Sequence, residues 1–109
     1  MSHWGQYFAS LPIEKQKDIT KKAITHYDRI SRHFMKSYLQ DIRNPNTSPS
    51  TYQSTIHLMN HYMQDIQENY NNNIITQSSL DFYYFRYKLI RTLNENELST
   101  MTSSTESEH

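Results

Sequence analysis

The chain has 109 residues, enough for one small domain, and eleven Lys plus Arg balance eleven Asp plus Glu, so its formal net charge is zero. Its single glycine and its lack of cysteine exclude glycine-rich phosphate-binding loops, nucleophile elbows, disulfide scaffolds and Cys-zinc sites. No apolar run reaches the roughly 18 residues of a membrane span, and residues 1–9 lack the pattern of a secretory signal. We therefore expect a cytoplasmic protein that does not associate with membranes.

The first part of the chain predicts a short packed segment followed by one long helix. Three aromatic side chains make residues 1–9 too apolar for a free tail, so we expect a short turn or helix across the bundle. Over residues 12–42, apolar residues recur at spacings of three and four, as on the buried face of a helix. The Asn-Pro-Asn sequence at 44–46 ends this helix, because proline disfavours helical geometry in the preceding residue. The predicted inward face contains Ala23, Tyr27, Ile30, Phe34, Tyr38 and Ile42.

A second helix is predicted over residues 49–70. Ser48 is a candidate N-cap, Pro49 suits the first helical position, and the Asn-rich run at 69–73 ends the helix. Its apolar residues follow the a and d positions of a heptad. We favour packing of this seam inside the chain's own core, and a seam with a partner or second copy is the alternative. The seam consists of Tyr52, Ile56, Met59, Met63, Ile66 and Tyr70.

A third helix is predicted over residues 79–94, with Ser78 and Asp81 as a capping box. Phe82, Phe85, Leu89 and Leu93 line one side of it, and Tyr83, Tyr87 and Ile90 an adjacent side. Short connections favour antiparallel neighbours.

The whole pattern predicts an all-α domain over residues 1–98, built as an up-down-up three-helix bundle. Residues 99–109 are polar and acidic, so we expect a disordered tail there.

The composition of the helices favours a non-catalytic protein–protein interaction module, such as an adaptor, chaperone or inhibitor-type regulator. Tyr, Met, Phe and Arg, the residue types enriched at protein interfaces, are abundant in this chain. The partner is another protein or a second copy of the chain. The predicted partner-binding residues, taken to face outward on the second and third helices, are Leu58, Tyr62, Tyr83, Tyr84, Arg86 and Tyr87.

A nucleic-acid-binding regulator is the main alternative. Residues 12–43 contain eight Lys or Arg and only four Asp or Glu, so the first long helix is basic and suited to phosphates. The candidate contacts are Lys15, Lys17, Lys21, Lys22, Arg29, Arg32 and Lys36.

Metal binding and catalysis find less support in the sequence. His57 and His61 lie one turn apart, with Asp65 one turn further, a spacing that could hold zinc. Position 58 is Leu, so the glutamate of a zincin motif is missing, and we favour an ordinary surface His pair. No Ser or Thr occurs in a recognisable nucleophile motif. We therefore expect neither enzyme activity nor a cofactor nor a resident metal.

Two local resemblances accompany these predictions. Residues 44–52, NPNTSPSTY, and the opening Met-Ser-His resemble segments of the enhancer-of-rudimentary family, which are small dimeric adaptor proteins. That fold opens with an apolar strand, which residues 4–9 do not match, so we assign the chain to no family. The Ser/Thr/Glu-rich C-terminus resembles the translocation signals of bacterial type IV secreted effectors. That resemblance implies a further alternative, a small effector secreted into a host cell.

Overall fold

A computed structural model describes the backbone of residues 3–107 and the side chains of residues 3–102. This part of the chain is all-helical and contains no strand. Its four helices are α1 (His3–Ser10), α2 (Ile13–Arg43), α3 (Pro49–Asn71) and α4 (Gln77–Ser107). None of them combines the length and the apolarity required to cross a bilayer. The predicted all-α class is confirmed, and the predicted bounds of the first two long helices agree with the structure to within one residue.

The number of helices differs from the three predicted, because the aromatic N-terminal segment forms a helix of its own. Phe8 of α1 is buried in the core, whereas Trp4 and Tyr7 stack on each other at the surface, with ring centroids 5.6 Å apart. The Gln16 amide donates hydrogen bonds to the carbonyls of Phe8, Ala9 and Leu11 at 3.1–3.3 Å. These bonds add to the backbone bond from the Leu11 N–H to the Phe8 carbonyl, and they attach the end of α1 to the start of α2.

The last helix also departs from the sequence prediction, which ended it at residue 94 and expected a disordered tail from residue 99. The disorder is not confirmed, since α4 continues to Ser107; residues 108–109 lie outside the described part. No glycine or proline follows Pro49 to break the helix. The Thr100 and Thr102 hydroxyls donate to the carbonyls four residues back, and Leu98 is half-buried.

The Asn-rich connection between α3 and α4 turns the chain as its sequence predicts. Asn73 has a left-handed backbone conformation with φ of 63°, which asparagine tolerates better than most residues. The following Ile74 and Ile75 are buried, and the Thr20 hydroxyl donates to the Ile74 carbonyl at 2.6 Å. The Thr76 hydroxyl accepts a hydrogen bond from the Ser79 amide, so Thr76 is the N-cap of α4 in place of the predicted Ser78.

The core lies where α4 packs against both α3 and α2. The predicted heptad seam of α3 is part of it: Met59 and Ile66 have no exposed surface, and Met63 is 5% exposed. α2 and α3 contact each other through large side chains, since the Phe34 and Tyr62 rings lie 6.3 Å apart. The seam of α3 therefore packs inside the chain's own core, which is the arrangement that the sequence analysis favours.

Hydrogen-bonded tyrosines join the three long helices at the centre of the bundle. The Tyr27 hydroxyl donates to Asp65 Oδ2 at 2.9 Å and accepts a hydrogen bond from the Asn69 amide. The Tyr87 hydroxyl donates to the Tyr27 backbone carbonyl at 2.7 Å. Burial raises the pKa of both hydroxyls, and the Asp65 carboxylate raises the pKa of Tyr27 further.

Candidate protein-binding surface

The outer side of α4 exposes three large apolar side chains on successive turns. Phe82 is 55% exposed, Phe85 65% and Leu89 41%. Their spacings of three and four residues place them in one row along the helix. We call these three residues the α4 outer stripe.

Charged side chains of α2 and α4 fix one edge of this stripe. The Arg86 guanidinium lies over the Phe82 ring, 5.2 Å from its centroid, in a cation–π contact. Arg86 Nη1 also donates to Asp28 Oδ1 at 3.0 Å, and Arg32 Nε lies 3.0 Å from Asp28 Oδ2. These contacts hold the rim of the stripe against α2, so Phe82 keeps its outward orientation.

An open groove of about 380 Å³ lies along the other edge of the stripe. The Phe85 and Tyr84 rings supply apolar surface to it, and Asp81 and Lys88 supply opposite charges seven residues apart. Gln67 of α3 closes its far side. Apolar surface bordered by a few charged groups is typical of a surface that binds another protein.

Two of the six predicted partner-binding residues are core residues, which corrects their expected outward orientation. Tyr83 is 8% exposed and Tyr87 is fully buried. Their rings pack on Tyr27, with centroids 5.9 and 6.4 Å from it. A partner therefore cannot reach either ring in the folded chain. Tyr84 is exposed and Arg86 half-buried, and both border the α4 outer stripe.

Leu58 and Tyr62 lie on a different part of the surface. Leu58 is 39% exposed, and Tyr62, one turn further along α3, is half-buried against Phe34 of α2. Tyr62 also stacks on the buried Tyr87 ring of α4, with centroids 5.7 Å apart. The opposite edge of α3 contacts α4 through Asn60, whose side chain accepts a hydrogen bond from Arg91 at 2.8 Å. The six predicted residues therefore do not form one surface.

The sequence analysis found two apolar sides on this helix and did not decide which of them faces the core, so it did not identify Phe82, Phe85 and Leu89 as the exposed row. The sequence contained a signal for the buried side of α4. A second row on this helix has spacings of 3, 4, 3 and 4, which are those of a seam with a neighbouring helix, and all its members are buried. This row consists of Leu80, Tyr83, Tyr87, Ile90 and Asn94.

The basic candidates all lie on α2, and each of the seven is exposed: Lys15, Lys17, Lys21, Lys22, Arg29, Arg32 and Lys36. Two of them are in ion pairs. Lys22 lies 2.9 Å from Asp18, and Arg32 pairs with Asp28. The structure therefore places them on the solvent side of the helix, as a phosphate-binding role requires.

The weak metal candidates His57 and His61 are exposed on α3. Asp65, the third member of their predicted row, accepts the hydrogen bond from Tyr27 instead. Within the described part of the chain, no group of three or more His, Cys, Asp or Glu is positioned to hold a metal ion.

The chain matches no family model, no curated protein and no solved structure. The geometry of its surfaces is therefore the basis for the function proposed below.

Proposed function

We propose that this chain is a non-catalytic protein-binding module, that the α4 outer stripe is its contact surface, and that its partner is a second copy of itself. The observation that carries the proposal is the exposure of Phe82, Phe85 and Leu89 in one continuous row. Burying a large apolar side chain contributes about 1.5–3 kcal/mol, so such a row gains free energy when a second surface covers it.

The charges beside the stripe support a second copy as the partner. Asp81 and Lys88 lie seven residues apart on the same edge, and both line the groove beside Phe85. When two such helices pair antiparallel about a two-fold axis, the same edges of both face each other. Asp81 of each chain then lies opposite Lys88 of the other, and Phe82 packs on Phe85. The edge is therefore complementary to itself.

Light scattering coupled to size-exclusion chromatography tests this proposal. At high micromolar concentration we expect a particle of about 26 kDa, twice the chain mass of 13.1 kDa. Phe85→Ser removes the most exposed ring of the stripe and should give a monomer. Leu58→Ser is the control, because Leu58 is also an exposed apolar residue, at 39%, on a different part of the surface. A monomeric wild-type chain, or a dimer that persists in Phe85→Ser, would contradict the proposal.

A further inference from the structure

Basic residues recur every seven positions along the whole of α2. Each member of this row is exposed, and together they follow one side of the helix, because seven residues make almost two full turns. We call this row the α2 basic stripe: Lys15, Lys22, Arg29, Lys36 and Arg43. Three of the earlier candidates, Lys17, Lys21 and Arg32, lie to one side of it.

The α2 basic stripe is long, and most of its described side chains form no ion pair with an acidic residue of the chain. At 1.5 Å per residue, it extends about 42 Å along an uninterrupted helix. Among the described side chains, Lys22 is its only member in an ion pair, with Asp18. The Asp28 carboxylate is bound by Arg32 and Arg86 on the side of α2 that faces α4. Most of the stripe's charge is therefore available to an external anion.

The central part of the stripe offers charge and hydrogen bonds but no apolar anchor. Between Lys22 and Lys36, every exposed side chain of α2 is polar or charged. The apolar side of the helix is used in the core, where Tyr27 and Tyr38 are buried. A helix that lies on a membrane needs a free apolar face to insert. A hydrated polyanion with regularly repeated charges suits this surface better than a lipid bilayer.

We propose that the α2 basic stripe binds the sugar–phosphate backbone of nucleic acid without regard to base sequence. Lysine and arginine side chains contact phosphates, and the binding is driven largely by the release of condensed counterions. The site is separate from the α4 outer stripe and does not depend on the function proposed for that surface. Phe85→Ser should therefore leave nucleic-acid binding in place.

Fluorescence anisotropy with a labelled, random-sequence DNA duplex of about 15 base pairs or more tests this assignment. With four to five phosphates neutralised, the slope of log K against log salt concentration should be about −4. Lys22→Ala with Lys36→Ala should reduce that slope by about two and weaken binding at least tenfold at low salt. Lys17→Ala with Lys21→Ala is the matched control, because it removes the same charge from the same helix outside the stripe.

Three results would overturn the assignment. The first is absence of binding at low salt. The second is an equal loss in the two double variants, which would indicate a response to overall charge instead of a defined stripe. The third is stronger binding to vesicles containing anionic lipid than to the duplex, with the same dependence on Lys22 and Lys36. A steep salt slope that depends on Lys22 and Lys36 but not on Lys17 and Lys21 would support it.

Discussion

Asn94 is a polar residue in an apolar setting. It occupies the last position of the buried row of α4 and has no exposed surface. Its Nδ2 donates to the Ile90 carbonyl at 2.7 Å, whereas its Oδ1 has no hydrogen-bond partner. A buried acceptor without a partner costs about 1–3 kcal/mol, so this amide contributes little net stability. Such a residue can still favour one register over others, as buried asparagines do in coiled coils.

Substitution of Asn94 by alanine tests this account. Asn94→Ala removes the unpartnered oxygen and raises helix propensity, and both effects offset the small cavity it leaves. We expect the free energy of unfolding to change by less than about 1 kcal/mol. Ile90→Ala, at the preceding buried position, should cost about 2–5 kcal/mol. Urea unfolding followed by circular dichroism measures both values. A loss for Asn94→Ala as large as that for Ile90→Ala would show that its amide is fully satisfied.

α4 takes part both in the proposed contact with a second copy and in the packing of the core. One row of its side chains is buried between α2 and α3, and the α4 outer stripe points away from both. The proposed pairing of two α4 helices therefore needs no change in the fold. It depends on apolar contact for affinity and on the charges at the edge for orientation.

Exchange of the two edge charges tests the antiparallel orientation. Asp81→Lys places like charges opposite each other across the two-fold axis and should weaken the dimer several-fold. Adding Lys88→Asp to the same chain restores opposite charges and should recover most of that affinity. Sedimentation equilibrium at low salt gives the three dissociation constants. If the double variant is as weak as or weaker than Asp81→Lys, the two residues do not face each other.

The elements of this fold follow from its sequence to different degrees. The bounds of α2 and α3 could be predicted because proline and asparagine mark their ends, and the seam of α3 because its spacing is strict. The buried face of α4 could not be predicted in the same way. Its two apolar rows both have helical spacing, and the Tyr27 carbonyl that satisfies the buried Tyr87 hydroxyl comes close to it only in the folded chain.

The α4 outer stripe could not be predicted from the sequence for the same reason. Residue type alone favours phenylalanine over tyrosine for burial, so it does not predict that Phe82 and Phe85 face outward. A buried tyrosine is tolerated once its hydroxyl has a partner, and that partner is 60 residues away along the chain for Tyr87. The exposed charges of α2 were predictable, because lysine is rarely buried unless it is paired.

At the scale of the whole molecule, the tyrosine-rich core makes stability sensitive to alkaline pH. Burial raises the pKa of the Tyr27 and Tyr87 hydroxyls above the ordinary value of 10.0, and the nearby Asp65 carboxylate adds to the effect. Between the unfolded and folded pKa values, the folded chain keeps protons that the unfolded chain has lost. The stabilisation is therefore fully present below about pH 10 and is lost as the pH rises above it.

Urea unfolding at about pH 8 and about pH 11 measures this loss. We expect the free energy of unfolding to fall at the higher pH, with tyrosinate absorbance rising together with the unfolding transition. Tyr87→Phe removes one of the two groups, so its stability should be lower at pH 8 but should fall less between the two pH values. Equal stability of the wild-type chain at both pH values would contradict the buried tyrosine arrangement.

The two apolar rows of α4 also pose a problem for folding. A helix that carries two such rows can dock on α2 and α3 by either face, and the rotated arrangement would bury Phe82 and Phe85 in place of the tyrosines. Hydrophobic collapse alone discriminates weakly between these two compact states. The choice depends on directional contacts that only one rotation allows, chiefly Tyr87 with the Tyr27 carbonyl and Arg86 with Asp28. These directional contacts therefore favour the native rotation over its competitor, whereas burial of apolar surface favours compaction in both.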